Sequence, residues 1–165
     1  MQGQVQITVT PSQILFQTPV INMVARLLDA QYPNFRQLLP DSYRIRALLE
    51  TRLFSSIVKA AALFAQDSTR TVTLTVKPRA GRLSICAQDV EIGENSSTIP
   101  VNCHELVDDL TILFNVHYLA EALAAMGTVP TIALELRTPA KPGILKPAEA
   151  ATVLHLIMPM QTKQG

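Results

Sequence analysis

At 165 residues the chain has room for one ordinary domain, or one domain and a piece of another. Its 48% apolar and 16% charged residues are enough to build a core and exclude an intrinsically disordered chain. A net charge of +1 gives no sign of a nucleic-acid partner, because what matters there is how the cations cluster.

In chain order, Val5, Ile7 and Val9 alternate with Gln6 and Thr8, the period of a half-buried strand. Pro11-Ser12-Gln13 turns into a second strand, Ile14 to Thr18. Val20 to Leu28 gives a third, with Ile21, Met23 and Ala25 on one face. Three strands cannot bury a face by themselves, so residues 1 to 30 predict a sheet whose covering layer is missing, as in a fragment. Residues 29 to 47 hold Pro33 and Pro40 around Phe35, Leu38 and Leu39 and read as a connector. From Ala47 to Phe64, the residues Leu49, Leu53, Ile57, Ala61 and Phe64 recur at three or four positions and predict a helix. Arg52, Ser55, Ser56 and Lys59 share its other side. Two cations with no acid between them suit a phosphate backbone, but they also suit an ordinary solvated face.

Strands resume at Thr71 to Lys77. The turn Pro78-Arg79-Ala80-Gly81 leads to a strand at Leu83 to Ala87, and Glu91 to Glu94 leads to another at Ser97 to Val101. The clearest landmark is Thr111 to Gly127. Ile112, Leu113 and Phe114 end a strand, Asn115 can accept from free N–H groups at a helix start, and Gly127 suits a left-handed close. Between them Val116, Leu119, Ala120, Leu123 and Met126 form an apolar stripe, with His117, Glu121 and Ala124 on the polar side. Val129 to Arg137, Ile144 to Lys146 and Ala151 to Met158 read as three further strands. Val153, Leu154, Leu156 and Ile157 occupy both faces of the last, as in a strand buried on both sides. From residue 41 the order is helix, three strands, helix, three strands, which is an α+β domain of about 120 residues.

Little here suggests catalysis. Cys103 and His104 are adjacent, so on a strand they point to opposite sides. Cys86 and Cys103 lack CxxC spacing and read as idle thiols of a reducing cytosol rather than a zinc site or disulfide framework. His104, His117 and His155 have no ligand spacing such as HExxH, and no P-loop, GxSxG or GxGxxG occurs. His155 reads as a hydrogen-bonded core histidine. Asp108-Asp109 and Asp89 with Glu91 read as solvated loop acids. No apolar run approaches the ~20 residues of a membrane span, and MQGQVQITVT has neither block of a secretory signal. The expectation is no catalytic residue, no metal and no cofactor.

Four stretches then carry a resemblance. Phe114-Asn115-Val116-His117-Tyr118-Leu119 with Ala122-Leu123 is similar to the FNxxYLxxAL segment of bacterial sliding clamps, the β subunit of DNA polymerase III. Tyr32-Pro33-Asn34-Phe35 to Leu38-Leu39-Pro40 resembles that family's FPDYxxxxP connector. Lys59 to Ala65 resembles its RASLLA helix end, and Met158-Pro159-Met160 its near-terminal MPM. Glu91-Ile92-Gly93-Glu94 also echoes an acidic turn of the family. Four stretches in order, over nearly the whole chain, make the likeness specific.

The resemblance implies a DNA-clamp (processivity) fold, with two helices per domain packed on antiparallel sheets. It implies strands and connector of an incomplete central domain at 1–40 and the C-terminal domain at 41–165. It also implies a non-enzymatic processivity factor, cytoplasmic and nucleoid-associated in bacteria, whose head-to-tail dimer rings duplex DNA without reading sequence. Partners would be the catalytic polypeptide of polymerase III, the clamp loader and other proteins bearing a clamp-binding motif. Arg52 and Lys59 would face the DNA, with Arg70 and His117 as further candidates. Peptides would enter an apolar groove of Pro33, Gln37, Leu38, Leu156, Met158, Pro159 and Met160. Leu63 and Phe64 would meet the neighbouring copy in the ring.

The groove also has a chemical rationale. Leu156, Met158 and Met160 alternate onto one face, and methionines adapt to several peptides. The bland reading of the same residues is a core strand ending in a loop. Departures from the family pattern weaken the expected groove. Gln161 to Gly165 replace the usual Arg-Leu end, Gln37 stands where a basic residue is common, and Pro33-Asn34-Phe35 replaces Pro-Asp-Tyr. Two other readings remain: a free-standing clamp-like peptide-binding protein that does not encircle DNA, and an unrelated small-molecule-binding α+β domain with a cavity between its helices.

Overall fold

Alternating apolar residues build the first three strands, β1 (Gln6–Val9), β2 (Gln13–Gln17) and β3 (Asn22–Arg26), paired as an antiparallel meander. The computed structural model describes residues 4–31, 34–66, 69–105, 107–149 and 153–161. The meander lies in the first of two units, Met1–Phe35 and Arg36–Gly165. Thr10 and Thr18 fix its turns through their hydroxyls, which accept from the N–H groups of Gln13 (3.1 Å) and Ile21 (2.9 Å). Cross-strand rows Ile7–Phe16–Met23 and Val9–Ile14–Ala25 share one face. On that face Ile7, Val9 and Met23 are each more than half exposed.

The second unit runs β4 (Ile45–Glu50), α1 (Thr51–Ala62), β5 (Thr71–Lys77), β6 (Arg82–Asp89), β7 (Gly93–Pro100), β8 (Asn102–Cys103), β9 (Leu110–Asn115), α2 (Val116–Ala125), β10 (Thr131–Leu136), β11 (Gly143–Pro147) and β12 (His155–Ile157). Two antiparallel sheets form, in the orders β12-β11-β10-β4-β8 and β7-β6-β5-β9. The strand after each helix pairs with the strand before the other helix, so each helix passes from one sheet to the other. Matching backbone bonds secure both crossings. The Thr51 N–H donates to the Pro130 carbonyl at 3.0 Å, and the Val116 N–H to the Arg70 carbonyl at 2.8 Å. Pro130 and Arg70 are the residues just before β10 and β5.

Period-two alternation supplies the core between the sheets: Ile45, Ala47 and Leu49 from β4, Val72, Leu74 and Val76 from β5, Ile112 and Phe114 from β9, and Ile132, Leu134 and Leu136 from β10. β10 also buries Ala133 and Glu135 on its other face. Glu135 is held there by Lys146 Nζ at 2.9 Å and Arg46 Nε at 3.3 Å. The Arg46 contact is one of charge rather than an aligned hydrogen bond. Arg46 Nη2 also donates to the Ala148 carbonyl at 2.9 Å, fixing the chain beyond β11.

Several expectations are met and several corrected. Asn115 caps α2, accepting from the His117 N–H at 2.9 Å, and Gly127 closes it with φ +59°. The first helix begins at Thr51 rather than Ala47, because Ile45 to Glu50 is a strand. Its buried stripe is Phe54, Val58 and Ala61, while Leu53 and Ile57 are only partly buried. β8 is a strand that the sequence pattern does not announce. The last strand is three residues long, and of its neighbours Val153 and Leu154 are exposed. In β12 only Ile157 is fully buried, while His155 and Leu156 are half-buried, so it is not a strand buried on both sides. Residues 151 and 152, where the pattern starts that strand, lie outside the described residues.

Two close fits give stability predictions. A Cβ on Gly143 would lie 2.7 Å from Phe114 Cζ inside the core. Gly143→Ala is expected to cost about 1–3 kcal/mol in urea unfolding. Asn115→Ala loses the cap and is expected to cost about 1 kcal/mol. The two thiols make a chemical prediction. Burial, then the hydrogen bond to Glu94 Oε1 (3.4 Å) and that carboxylate's charge, push the Cys86 thiol up. Burial and Glu105 push up Cys103. A raised pKa means less thiolate, so at about pH 8 both should react with iodoacetamide more slowly than free cysteine. Glu94→Gln should speed Cys86 and leave Cys103 unchanged.

Candidate functional site

Three surface hollows collect the side chains singled out from the sequence. The largest of them, about 690 Å³, lies between the first turns of α1 and the loop from Gly127 to Pro130. On α1, Arg52, Ser56 and Lys59 recur at four and three residues, so the helical repeat puts them on one exposed side. Ser55 sits beside them, half-buried, and all four line this cleft. Glu50 is on the same wall, which leaves two cations against one carboxylate.

Arg70 and His117 are not in that cleft. They line a second hollow of about 260 Å³ at the start of α2, together with Ala62, Ala65 and Gln66. Arg70 takes φ +48°, a left-handed backbone that lets its carbonyl meet the Val116 N–H. His117 Nε2 lies 3.3 Å from Glu121 Oε1, one helical turn on. Both side chains are more than half exposed, so water screens this contact.

The third hollow, about 370 Å³, separates α2 from β12 and the residue that follows it. Leu156 and Met158 line it together with His155 and Ile157, whereas Met160, expected on the same face, does not, and Met158 is 54% exposed. Tyr118, Glu121 and Ala122 form the opposite wall. Tyr118 lines the hollow although sequence spacing does not single it out. What marks it is its 55% exposure on the amphipathic helix, which is visible only in the structure. His155 is also in the wall, and its Nε2 is buried without a partner among the described residues, which corrects the expectation of a hydrogen-bonded core histidine.

The remaining groove candidates are spread more widely. Pro159 and Met160 are half-buried, and the Met160 N–H donates to the Leu113 carbonyl at 2.8 Å, tying the tail to β9. Gln37 and Leu38 are exposed on a short 3-10 turn, Phe35–Leu38, and do not line the hollow. Pro33 lies outside the described residues. Leu63, just past α1, is 66% exposed, whereas Phe64 is half-buried against the core. Among the described residues, no helix is long and apolar enough to cross a membrane.

Comparison with known proteins places this geometry in a family. Residues 36–161 match the model of the DNA polymerase III beta subunit, C-terminal domain. A beta sliding clamp of Synechococcus elongatus is 28% identical over 151 residues, covering 92% of this chain and 40% of the relative. One from Staphylococcus epidermidis is 30% identical over 153 residues, covering 92% of this chain and 39% of the relative. The chain thus spans about 40% of the length of these curated relatives. A crystal structure of the DNA polymerase III subunit beta from Pseudomonas aeruginosa superposes with a TM-score of 0.80 at 22% identity, over 97% of this chain and 43% of the other. At that identity it speaks for the fold alone: two helices on antiparallel sheets. With the family model covering most of its length, the chain belongs to the family of C-terminal domains of the DNA polymerase III beta subunit.

Proposed function

We propose that this chain acts as the C-terminal part of a replicative sliding clamp, a processivity factor without chemistry of its own. In the whole clamp protein, residues 41–165 would form the last domain and residues 1–40 the closing strands and connector of the domain before it. Two copies would join head to tail around duplex DNA, with Leu63 and Phe64 at the junction. The catalytic polypeptide of polymerase III and the clamp loader would dock by short peptides, in a bacterial cytoplasm. The observation that carries this reading is the family match over residues 36–161.

The hollows fit the two kinds of partner. Arg52 and Lys59 are exposed and lie on one side of α1, where they can attract phosphates without reading bases. Such long side chains in water hold a polyanion weakly and exchange quickly, which suits a ring that must slide. The hollow between α2 and β12 offers the opposite chemistry. Leu156 and Met158 give an adaptable apolar wall, and Tyr118 gives a flat amphipathic one. The clamp resemblance adds Pro33, Gln37, Leu38, Pro159 and Met160 as further peptide-contacting residues.

Fluorescence anisotropy with a labelled clamp-binding peptide tests the groove. Saturable binding is expected, weakened by about tenfold in Met158→Ala, since truncating a buried anchor typically costs about 1–2 kcal/mol. Leu38→Asp should weaken it as well. Binding unchanged in both variants would exclude this groove. For DNA, the variant Arg52→Ala with Lys59→Ala should lower the salt dependence of duplex binding by a slope of about 2. An unchanged slope would take both residues out of the DNA-facing set.

A further inference from the structure

We infer that the hollow between α2 and β12 takes its peptide as an added strand along the open edge of β12, and that Glu121 selects segments carrying a basic side chain among apolar ones. This docking mode rests on the peptide reading of the hollow and adds a partner class to it.

β12 ends its sheet, so β11 is its one strand partner. Among the described residues, no backbone bond outside the sheet involves residues 153–158. The lining of the hollow shows where the unpaired side faces. His155, Leu156, Ile157 and Met158 border it in unbroken succession. Neighbouring side chains of a strand point to opposite faces, so side chains alone would give a wall of alternate residues. Four in a row have the strand's edge in common. Ile157 is 5% exposed, its side chain belongs to the core, and it still borders the hollow. Free N–H and C=O groups along such an edge are a template for a further strand.

The edge is also unguarded. Open edges are commonly blunted by lysine, other charges or proline. From Val153 to Met158 the chain has no Lys, Arg, Asp, Glu or Pro. Val153, Leu154 and Met158 are 47%, 45% and 54% exposed, so apolar surface accompanies the free backbone. The edges of the other sheet differ. β7 carries Glu94 and ends in Pro100, and β9 is covered where the Met160 N–H reaches the Leu113 carbonyl.

Charge narrows the class of partner. Glu121 is the one acidic or basic side chain among the residues lining the hollow, apart from His155, which is half-buried with its Nε2 out of solvent. His117 lies 3.3 Å from Glu121, but both are more than half exposed, so a ligand cation can reach the carboxylate from water. An apolar wall with one carboxylate complements a segment that pairs apolar residues with a lysine or arginine. Residues two apart share a face of an extended chain, so the basic residue stands two positions from an apolar one.

Fluorescence anisotropy of the full chain tests this with a labelled, end-capped peptide, Thr-Leu-Thr-Lys-Thr-Leu, and a version with glutamate in place of lysine. Expected is saturable binding, about fivefold tighter for the lysine peptide. Glu121→Gln should bring the two peptides within about twofold of each other, because the charge they distinguish is gone. Glu121 is exposed, so that variant keeps the fold. Two further lysine peptides carry N-methyl groups on one alternate set of backbone nitrogens or on the other. A strand turns one set toward its neighbour, so one pattern should abolish binding and the other preserve it. Amide hydrogen exchange at residues 155–158 should slow on saturation.

Equal binding of both methylated peptides, or unchanged exchange at those amides, overturns strand addition. Equal affinity of the unaltered chain for the lysine and glutamate peptides overturns selection by Glu121. If none of these peptides binds while Met158→Ala still weakens a clamp-binding peptide, the proposal falls and the groove reading stands. If the clamp-binding peptide does not bind either, both fall.

Discussion

Two backbone hydrogen bonds, Thr51 N–H to Pro130 and Val116 N–H to Arg70, hold the two strand-to-helix junctions around which the second unit is arranged. Each sits where a strand becomes a helix with no loop between, and each ties that point to the chain entering a strand of the same sheet. The constraint is topological as well as local. β4 pairs with β10, far along the chain, where α1 starts, and β9 pairs with β5 where α2 starts. Asn115 gives α2 a local start signal, whereas α1 has no side-chain cap and its start is marked by the non-local pairing alone. A left-handed Arg70 is part of the second junction, and proline, which has no N–H to leave unpaired, serves at the first.

The functional surfaces follow from those junctions. Crossing from sheet to sheet sets both helices against the core by one side, Phe54, Val58 and Ala61 in α1, and Val116, Leu119, Ala122 and Leu123 in α2. The other side of α1 is then free to carry Arg52 and Lys59. α2 also lends Tyr118 and Ala122 to the hollow facing β12, because those residues lie on or beside its buried stripe. Edge strand β12 is short and its chain end is held by Met160 on β9, so Leu156 and Met158 are presented on an anchored edge rather than a loose tail. Arg46, gripping Glu135 and the Ala148 carbonyl, steadies the approach to that edge. One sheet thus supplies both a charged outer network and an apolar wall.

Much of this is visible in the sequence, and the gaps have physical causes. Asn115 and Gly127 are legible because a cap and a left-handed close need particular side chains. The strands of Val72, Leu74, Val76 and of Ile132, Leu134, Leu136 are legible because alternation persists long enough to be unmistakable. The start of α1 is not. Leu49 ends the alternation Ile45, Ala47, Leu49 and also stands four residues before Leu53, so it satisfies both periods, and only the pairing of β4 with β10 decides between them. β8 is two residues long, below the length at which any period exists. The sequence pattern overextends the last strand because Val153 and Leu154 are apolar yet exposed. Of the site, the cations of α1 and the methionines after β12 are legible by spacing. That Tyr118, Thr51 and His155 line the hollows is not legible, because what sets them apart is exposure or an unmet hydrogen bond, which no spacing encodes.

The claim that most needs testing is that partner peptides meet this domain in the hollow between α2 and β12. Methyl-labelled methionine and leucine, followed by NMR as a clamp-binding peptide is added, tests it directly. The account predicts that the methyl groups of Met158 and Leu156 shift with saturation while buried Met126 stays still. Shifts confined to other methyls, or none at a peptide concentration that saturates anisotropy, would contradict it.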